Sequence, residues 1–353
     1  MTHVVATLAN PHLHLAYWQQ TVLKVVLVLV AVPTATAIIV QTFLFKVMAY
    51  MQSRLGPMEA GPHGSLQLLA DGVKFLQKEL LAPERSDLLV FGLAPIIVLL
   101  STFMLYVVIP VGPGAAAENL DTGIFFALAV SSLSVVGILA AGWASANKYS
   151  LIGGLRAAGQ LIAYELPLVL GVVGVVMLAG TLSLQGIVRA QASWRLFGHT
   201  ILGMRGVPFI LPQFTGFVMF LAASQAELTQ APFDMPVAES ELVAGYQTEY
   251  SGLLFLFFYI GEFGTAFGLA AIAATLFLGG WYLPGFHAHG LGGDLLGFGV
   301  LFAKTMVVAF LIFWIRFTYP RLREDQLQAI AWKYLIPLSL VNILVTGIAK
   351  VVR

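Results

Sequence analysis

The sequence predicts an all-α polytopic membrane protein of about eight transmembrane helices with an amphipathic helix in its first cytoplasmic loop. Three observations lead there. Hydrophobic residues fill 59% of the 353 positions and charged residues only 10%, whereas a soluble domain carries about 25% charge. The mean hydropathy of +0.89 says that water is not the main solvent. The apolar residues also fall in runs of about 20, the length that crosses a bilayer core as a helix.

In order, these runs lie near 22–45, 88–111, 122–146, 158–180, 207–228, 253–283, 297–316 and 331–351. The sixth is long enough to require tilt or a break. The tail over 1–20 has no basic leading segment or small-residue cleavage site, so the first span is expected to be retained. No repeat or linker divides the chain, and 1–353 reads as a single transmembrane domain. The loops after spans one, three and seven hold eleven lysines and arginines against five on the other side. The excess marks the cytoplasmic side, so both termini, with the 1–20 tail, are expected to be non-cytoplasmic and the location the inner (cytoplasmic) membrane.

Within the first cytoplasmic loop, residues 64–81 carry Leu66, Leu69, Val73, Leu76 and Leu80 at helical spacing, with Gln67, Asp71, Lys74 and Lys78 as a second stripe. This is an amphipathic helix. Its polar stripe is either solvated above the headgroups or turned toward a cavity or partner.

The acidic loop over 229–252 concentrates the chemistry. Between Arg205 and Arg316 the only lysine or arginine is Lys304, yet Glu227, Asp234, Glu239, Glu241, Glu249, Glu262 and Asp294 lie there. Unpaired, such carboxylates repel one another and lose solvation, which raises pKa values toward neutral pH and suits proton exchange. The alternative is neutralisation by a basic partner or by Arg316, Arg321 and Arg323. Asp234 is expected to cap a helix starting at Pro236, which would set Glu241 and Glu249 roughly on one face. Glu165, Glu262 and Lys304 sit inside spans, where a charge is costly and usually functional or paired; a Glu262–Lys304 pair is one such option.

The chemistry available is restricted. With no cysteine, disulfides, thiolate-held iron–sulfur clusters and a cysteine nucleophile are excluded. No histidine pair sits mid-span for haem, and His12/His14 and His287/His289 read as solvated loop residues, so no metal site is expected. A net charge of +1 gives no footprint for nucleic acid.

Several segments together resemble a known family. They are Gln52-Ser53-Arg54-Leu55-Gly56-Pro57, Gly64 to Glu79, Lys148-Tyr149-Ser150-Leu151-Ile152-Gly153, Ala231-Pro232-Phe233-Asp234, Ala238-Glu239-Ser240-Glu241-Leu242-Val243, Thr248-Glu249-Tyr250-Ser251-Gly252 and Arg316 to Gln326. In this order they are similar to the membrane subunit of respiratory complex I, the proton-translocating NADH:quinone oxidoreductase, that is called the H subunit in bacteria and subunit 1 in mitochondria. The resemblance implies a subunit with no cofactor of its own and no activity alone. It implies quinone as substrate, with FMN and iron–sulfur clusters held by partner subunits of the membrane and peripheral arms. By the same resemblance, Glu165, Glu227, Asp234, Glu239, Glu241, Glu249 and Glu262 transfer protons. Arg54, Asp71, Lys74, Lys78, Glu79 and Phe233 belong to the quinone site, and Arg156, Lys304, Arg316, Arg321 and Arg323 couple charge.

Four places depart from the family pattern: Leu44-Phe45 where Glu-Arg is usual, Met58-Glu59 where Asn-Arg is usual, Gln230 for Arg and Val237 for Glu. These departures keep a relative open, the homologous subunit of an energy-converting hydrogenase or of a ferredoxin- or F420-linked dehydrogenase. A stand-alone secondary transporter also uses intramembrane carboxylates and broken helices.

Overall fold

The computed structural model describes residues 17–193, 206–283 and 290–352. Its elements are α1 (Tyr17–Ile39), a π-helical stretch over Val40–Val47, α2 (Met48–Met51), α3 (Gln67–Gln77), α4 (Leu88–Val107), α5 (Gly123–Ala144), α6 (Lys148–Ala179), α7 (Leu184–Ser193), α8 (Phe214–Glu227), α9 (Glu239–Leu242), α10 (Gly252–Phe277), α11 (Leu291–Thr318), α12 (Glu324–Ala329), a second π-helical stretch over Ile330–Leu335, and α13 (Ile336–Val352). There is no strand among the described residues. His12, His14, His287 and His289 lie outside them.

Seven of the described helical segments are long and apolar enough to cross a membrane. The eighth expected span, 207–228, differs. Its helix, α8, has 14 residues, or about 21 Å at 1.5 Å per residue, short of the roughly 30 Å hydrocarbon core. Turns over 209–213 precede it, and Gln213 there donates to Thr346 Oγ1 (2.7 Å) and accepts from Asn342 Nδ2 (2.8 Å) on α13. Irregular backbone at this depth is tolerated because protein, not lipid, surrounds it.

α10 is the centre. From Leu269 to Phe277 almost every side chain is buried, with α1, α4 and α11 packed around it. It ends at Phe277, so the long sixth run of the sequence breaks there rather than crossing to residue 283. α6 forms the second axis, running unbroken through Pro167. It approaches α5 closely, because a Cβ on Gly142 would lie 3.1 Å from the Gly154 Cα, the small-residue contact that lets apolar helices pack in a membrane.

α3 is shorter than the 64–81 expected, since Lys78 turns to extended backbone. Its apolar side is the outward one: Leu69, Val73 and Leu76 are exposed, while Asp71 and Phe75 are half-buried toward α10. The Phe75 and Phe255 rings meet at 5.7 Å, and Ser251 Oγ donates to the Glu79 carbonyl (3.2 Å).

Candidate functional site

The acidic loop is latched along one side of α6. Asn147 Nδ2 donates to Glu249 (2.5 Å), Ser150 Oγ to the Tyr246 carbonyl (3.2 Å), and Arg156 Nη1 to Glu241 (2.6 Å). One turn on, Gln160 Nε2 donates to the carbonyls of Ala226 (2.7 Å) and Phe233 (2.8 Å). Tyr164 donates to the Leu327 carbonyl (2.8 Å) and sets its ring edge-on against Phe233. These residues recur every three or four positions, so they share a helix face. Gly153 lies at the middle of it, where a Cβ would come within 2.7 Å of the Gly245 Cα. Gly245 itself takes φ +56°, and a Cβ there would collide with the Pro236 carbonyl, so glycine is required on both sides of the contact.

The loop is less helical than its sequence suggests. α9 begins at Glu239 with Ala238 ahead of it, not at Pro236, and no side chain caps it. It stops after one turn because Val243 takes φ +64°, which a helix cannot continue. Glu241 and Glu249 therefore do not share a helix face. They are held nine residues apart on α6, by Arg156 and Asn147, or about 14 Å along its axis.

The acidic cluster is also not uniformly unpaired. Glu241 meets a second arginine, Arg321 Nη2, at 3.0 Å. The hydrogen bond from Arg156, then the field of Arg321, hold its carboxyl below the ordinary range, the reverse of what repulsion alone would give. An open cleft of about 610 Å³ lies beside the pair, lined also by Met235, Arg323, Asp325 and Gln328. Arg323 itself turns to Asp325 (2.7 Å) rather than to the acidic loop.

A second centre forms deeper, around Glu262 on α10. Arg316 Nη1 of α11 stands 3.8 Å from its Oε1 and Gln230 Nε2 3.5 Å, both longer than a good charged hydrogen bond. The Arg316 guanidinium lies over the Phe263, Phe313 and Phe317 rings at 5.6–5.9 Å, within cation–π range. Asp234 and Tyr259 are within electrostatic reach of Glu262, and Asp71 is within reach of Tyr259. Buried atoms with no hydrogen bond from the protein run on from here: Arg316 Nη1, then Oε1 of Gln230, Gln225 and Gln160, Ser224 Oγ and Glu227 Oε2. Glu227, at the end of α8, lies beside Ser131 of α5 and within reach of Glu165 on α6.

The structure thus brings together Asp71, Asp234, Glu262 and Arg316 in one group, Arg156, Glu241 and Arg321 in another, and Glu165 with Glu227 in a third. It separates others. The Glu262–Lys304 pair does not form; Lys304 Nζ donates to the carbonyls of Gly280 (2.9 Å) and Tyr282 (2.7 Å) beyond the far end of α10. Arg54 is exposed and bonds Gln52 (2.7 Å). Lys74, Lys78 and Glu79 are exposed, and Phe233 is buried against Tyr164. The side chain of Glu239 lies outside the described residues. Gln41, Asn147, Ser150, Gln160, Tyr164 and Gln225 were missed by the sequence reading, although 150, 153, 156, 160 and 164 on α6 already show the helical spacing.

The departures are absorbed by packing. Leu44 and Phe45 sit in the first π-helical stretch, half-buried against the main core, and Val237 joins the cluster around Phe91, Tyr246 and Tyr250. Gln230 is 2% exposed. Lys46 Nζ donates to the Pro57 carbonyl (2.8 Å) and reaches Met58 Sδ (3.5 Å).

Comparison with known proteins agrees with this architecture. Residues 23–347 match the family described as NADH dehydrogenase. The chain is 43% identical over 333 residues to the NADH-quinone oxidoreductase H subunit of Phocaeicola vulgatus, covering 92% of this chain and 90% of that protein. It is 44% identical over 324 residues to the same subunit from Bacteroides thetaiotaomicron, with 90% and 87% covered. Against the one from Brevibacillus brevis it is 46% identical over 303 residues, with 86% and 85% covered.

Proposed function

Since the chain belongs to the NADH dehydrogenase family, we propose that it is the H subunit of a proton-translocating NADH:quinone oxidoreductase. In this reading it forms part of the quinone cavity and couples quinone reduction to proton transfer through its buried carboxylates. The electrons come from FMN and iron–sulfur clusters of partner subunits, and this chain binds, orients and moves protons without redox chemistry of its own. It lies in the inner membrane with both termini on the non-cytoplasmic side, so that the latched acidic loop faces the peripheral arm.

The observation that carries this reading is the loosely held Glu262. A carboxylate inside a membrane protein is expensive and is kept where it works. At 3.8 Å from Arg316 and 3.5 Å from Gln230, it has a cation close enough to stabilise its anion but no tight bond that would forbid protonation. The row of buried acceptors from Gln230 to Glu227 is of the kind that internal water satisfies, and water between carboxylates is what proton transfer over such a span requires. Glu227 and Glu165 then take the proton further into the membrane body. Arg156 and Arg321, by fixing Glu241, hold the loop that carries Gln230 and Asp234.

The experiment is Glu262→Gln in the assembled complex. The amide keeps size and hydrogen-bonding capacity but cannot release a proton at neutral pH. Assembly should persist while quinone-linked proton translocation is lost; translocation at the parental rate would make Glu262 structural and refute the relay.

A further inference from the structure

At the end of the bundle opposite the acidic loop, α1 stands away from α11 and leaves a cleft of about 450 Å³. It is lined by Leu27, Ala31, Ile109, Phe267, Phe298 and Phe302 among others, from α1, α4, α10 and α11 and the segment that follows α4. The hydroxyls in the wall turn away from it. Thr34 donates to the Val30 carbonyl, Thr305 to that of Leu301 and Tyr106 to that of Gly264, each at 2.8 Å. The cleft therefore asks for an occupant with no polar atoms along its length. Its size narrows the choice: with a methylene taken as about the ~30 Å³ of a water, it holds about 15 of them. That is one fatty chain. A partner helix, about 10–12 Å across with its side chains, is too wide.

The mouth adds a second constraint. Lys24, on the first turns of α1, lines the cleft and pairs with Glu118 at 2.8 Å. Both remain partly exposed, at 30% and 41%, so each keeps unused hydrogen-bonding capacity: further ammonium protons on Lys24 and carboxylate lone pairs on Glu118. A cation and an anion side by side over an apolar slot match a headgroup that carries both charges. We propose that the cleft binds one zwitterionic phospholipid, with an acyl chain along α1 and α11, the phosphate on Lys24 and the headgroup ammonium on Glu118. The lipid completes the packing of α1, whose apolar residues are little buried by protein, at 22% of its best spanning window.

The test uses the assembled complex in nanodiscs of equal phosphatidylethanolamine and phosphatidylglycerol, washed stepwise with detergent. Native mass spectrometry then counts the lipid retained per chain. One retained phosphatidylethanolamine is expected, and Ala31→Trp, which fills the cleft, should lose it. Lys24→Gln combined with Glu118→Gln removes the pair without stranding either charge. The double variant should lower the preference for phosphatidylethanolamine about fivefold, the scale of one lysine acting on a lipid phosphate. A phosphatidylethanolamine with a photoactivatable acyl chain should label α1 and α11 of the unaltered protein, a readout that stands even if Ala31→Trp fails to assemble. Labelling away from these helices, retention unchanged by Ala31→Trp, equal retention of both lipids, or a quinone in place of the phospholipid would overturn the proposal.

Discussion

Glu241 and Glu262 both face arginine, and they do so in opposite ways. Glu241 is half-exposed at the membrane boundary and gripped by two guanidinium groups at 2.6 and 3.0 Å. Glu262 lies deeper, is 22% exposed, and has its single arginine at 3.8 Å. The first arrangement fixes a position: a doubly paired carboxylate stays ionised and anchors the chain that bears it. The second leaves a group whose charged form is supported but whose environment can relax. A carboxylate at a membrane boundary is thus not a proton site by virtue of being acidic, and the length of its contacts separates an anchor from a relay.

The comparison breaks most visibly at Glu262. Glu262→Gln is expected to lower proton-coupled turnover at least about 100-fold, the lower end of what a positioned acid–base group contributes, with assembly retained; proton uptake in reconstituted vesicles measures it. Glu241→Gln should reduce turnover much less. If the two variants lose activity equally, the division between anchor and relay fails.

The anchor is better tested through its scaffold. Gly153→Ala drives a methyl group into the Gly245 backbone at 2.7 Å, an overpacking that costs about 1–3 kcal/mol. Thermal unfolding of the complex should drop, and hydrogen exchange over 229–252 should speed up. An unchanged exchange rate would mean that α6 does not hold the loop.

A smaller effect belongs to Tyr164→Phe, which removes only the hydrogen bond to the Leu327 carbonyl, worth about 1 kcal/mol. It should loosen α12 while leaving turnover close to parental.

The smallest is a pH effect on Glu241 itself. Its carboxyl is held below the ordinary range, first by the Arg156 hydrogen bond. The stabilisation is therefore fully present above the unfolded value of about 4.3 and is lost as pH falls through the lowered folded value. Exchange over 229–252 should be flat from neutral pH to about 5 and rise only below that; in Glu241→Gln the acid-dependent step should vanish.

The class of the molecule was legible from local information alone. Runs of about 20 apolar residues specify membrane helices whatever they pack against. The missing cysteine excludes thiolate chemistry, and the list of intramembrane ionisable groups needs no coordinates. The α6 face of Ser150, Gly153, Arg156, Gln160 and Tyr164 was readable too, because helical periodicity is local. Only the tertiary structure decided partners. Arg156 meets a glutamate 85 positions away, and Glu262 meets Arg316 rather than the equally plausible Lys304, which the helix end beyond Phe277 captures with two carbonyls. The half-length α8 and the one-turn α9 were hidden for the same reason. Protein around α8 permits a short helix where composition alone counts a full span, and the close packing of Gly245 on Pro236 and Gly153 ends the helix that Asp234 and Pro236 would otherwise begin. Hydropathy records which solvent each residue prefers; which charge lies beside which is settled by the packing of helices remote in sequence.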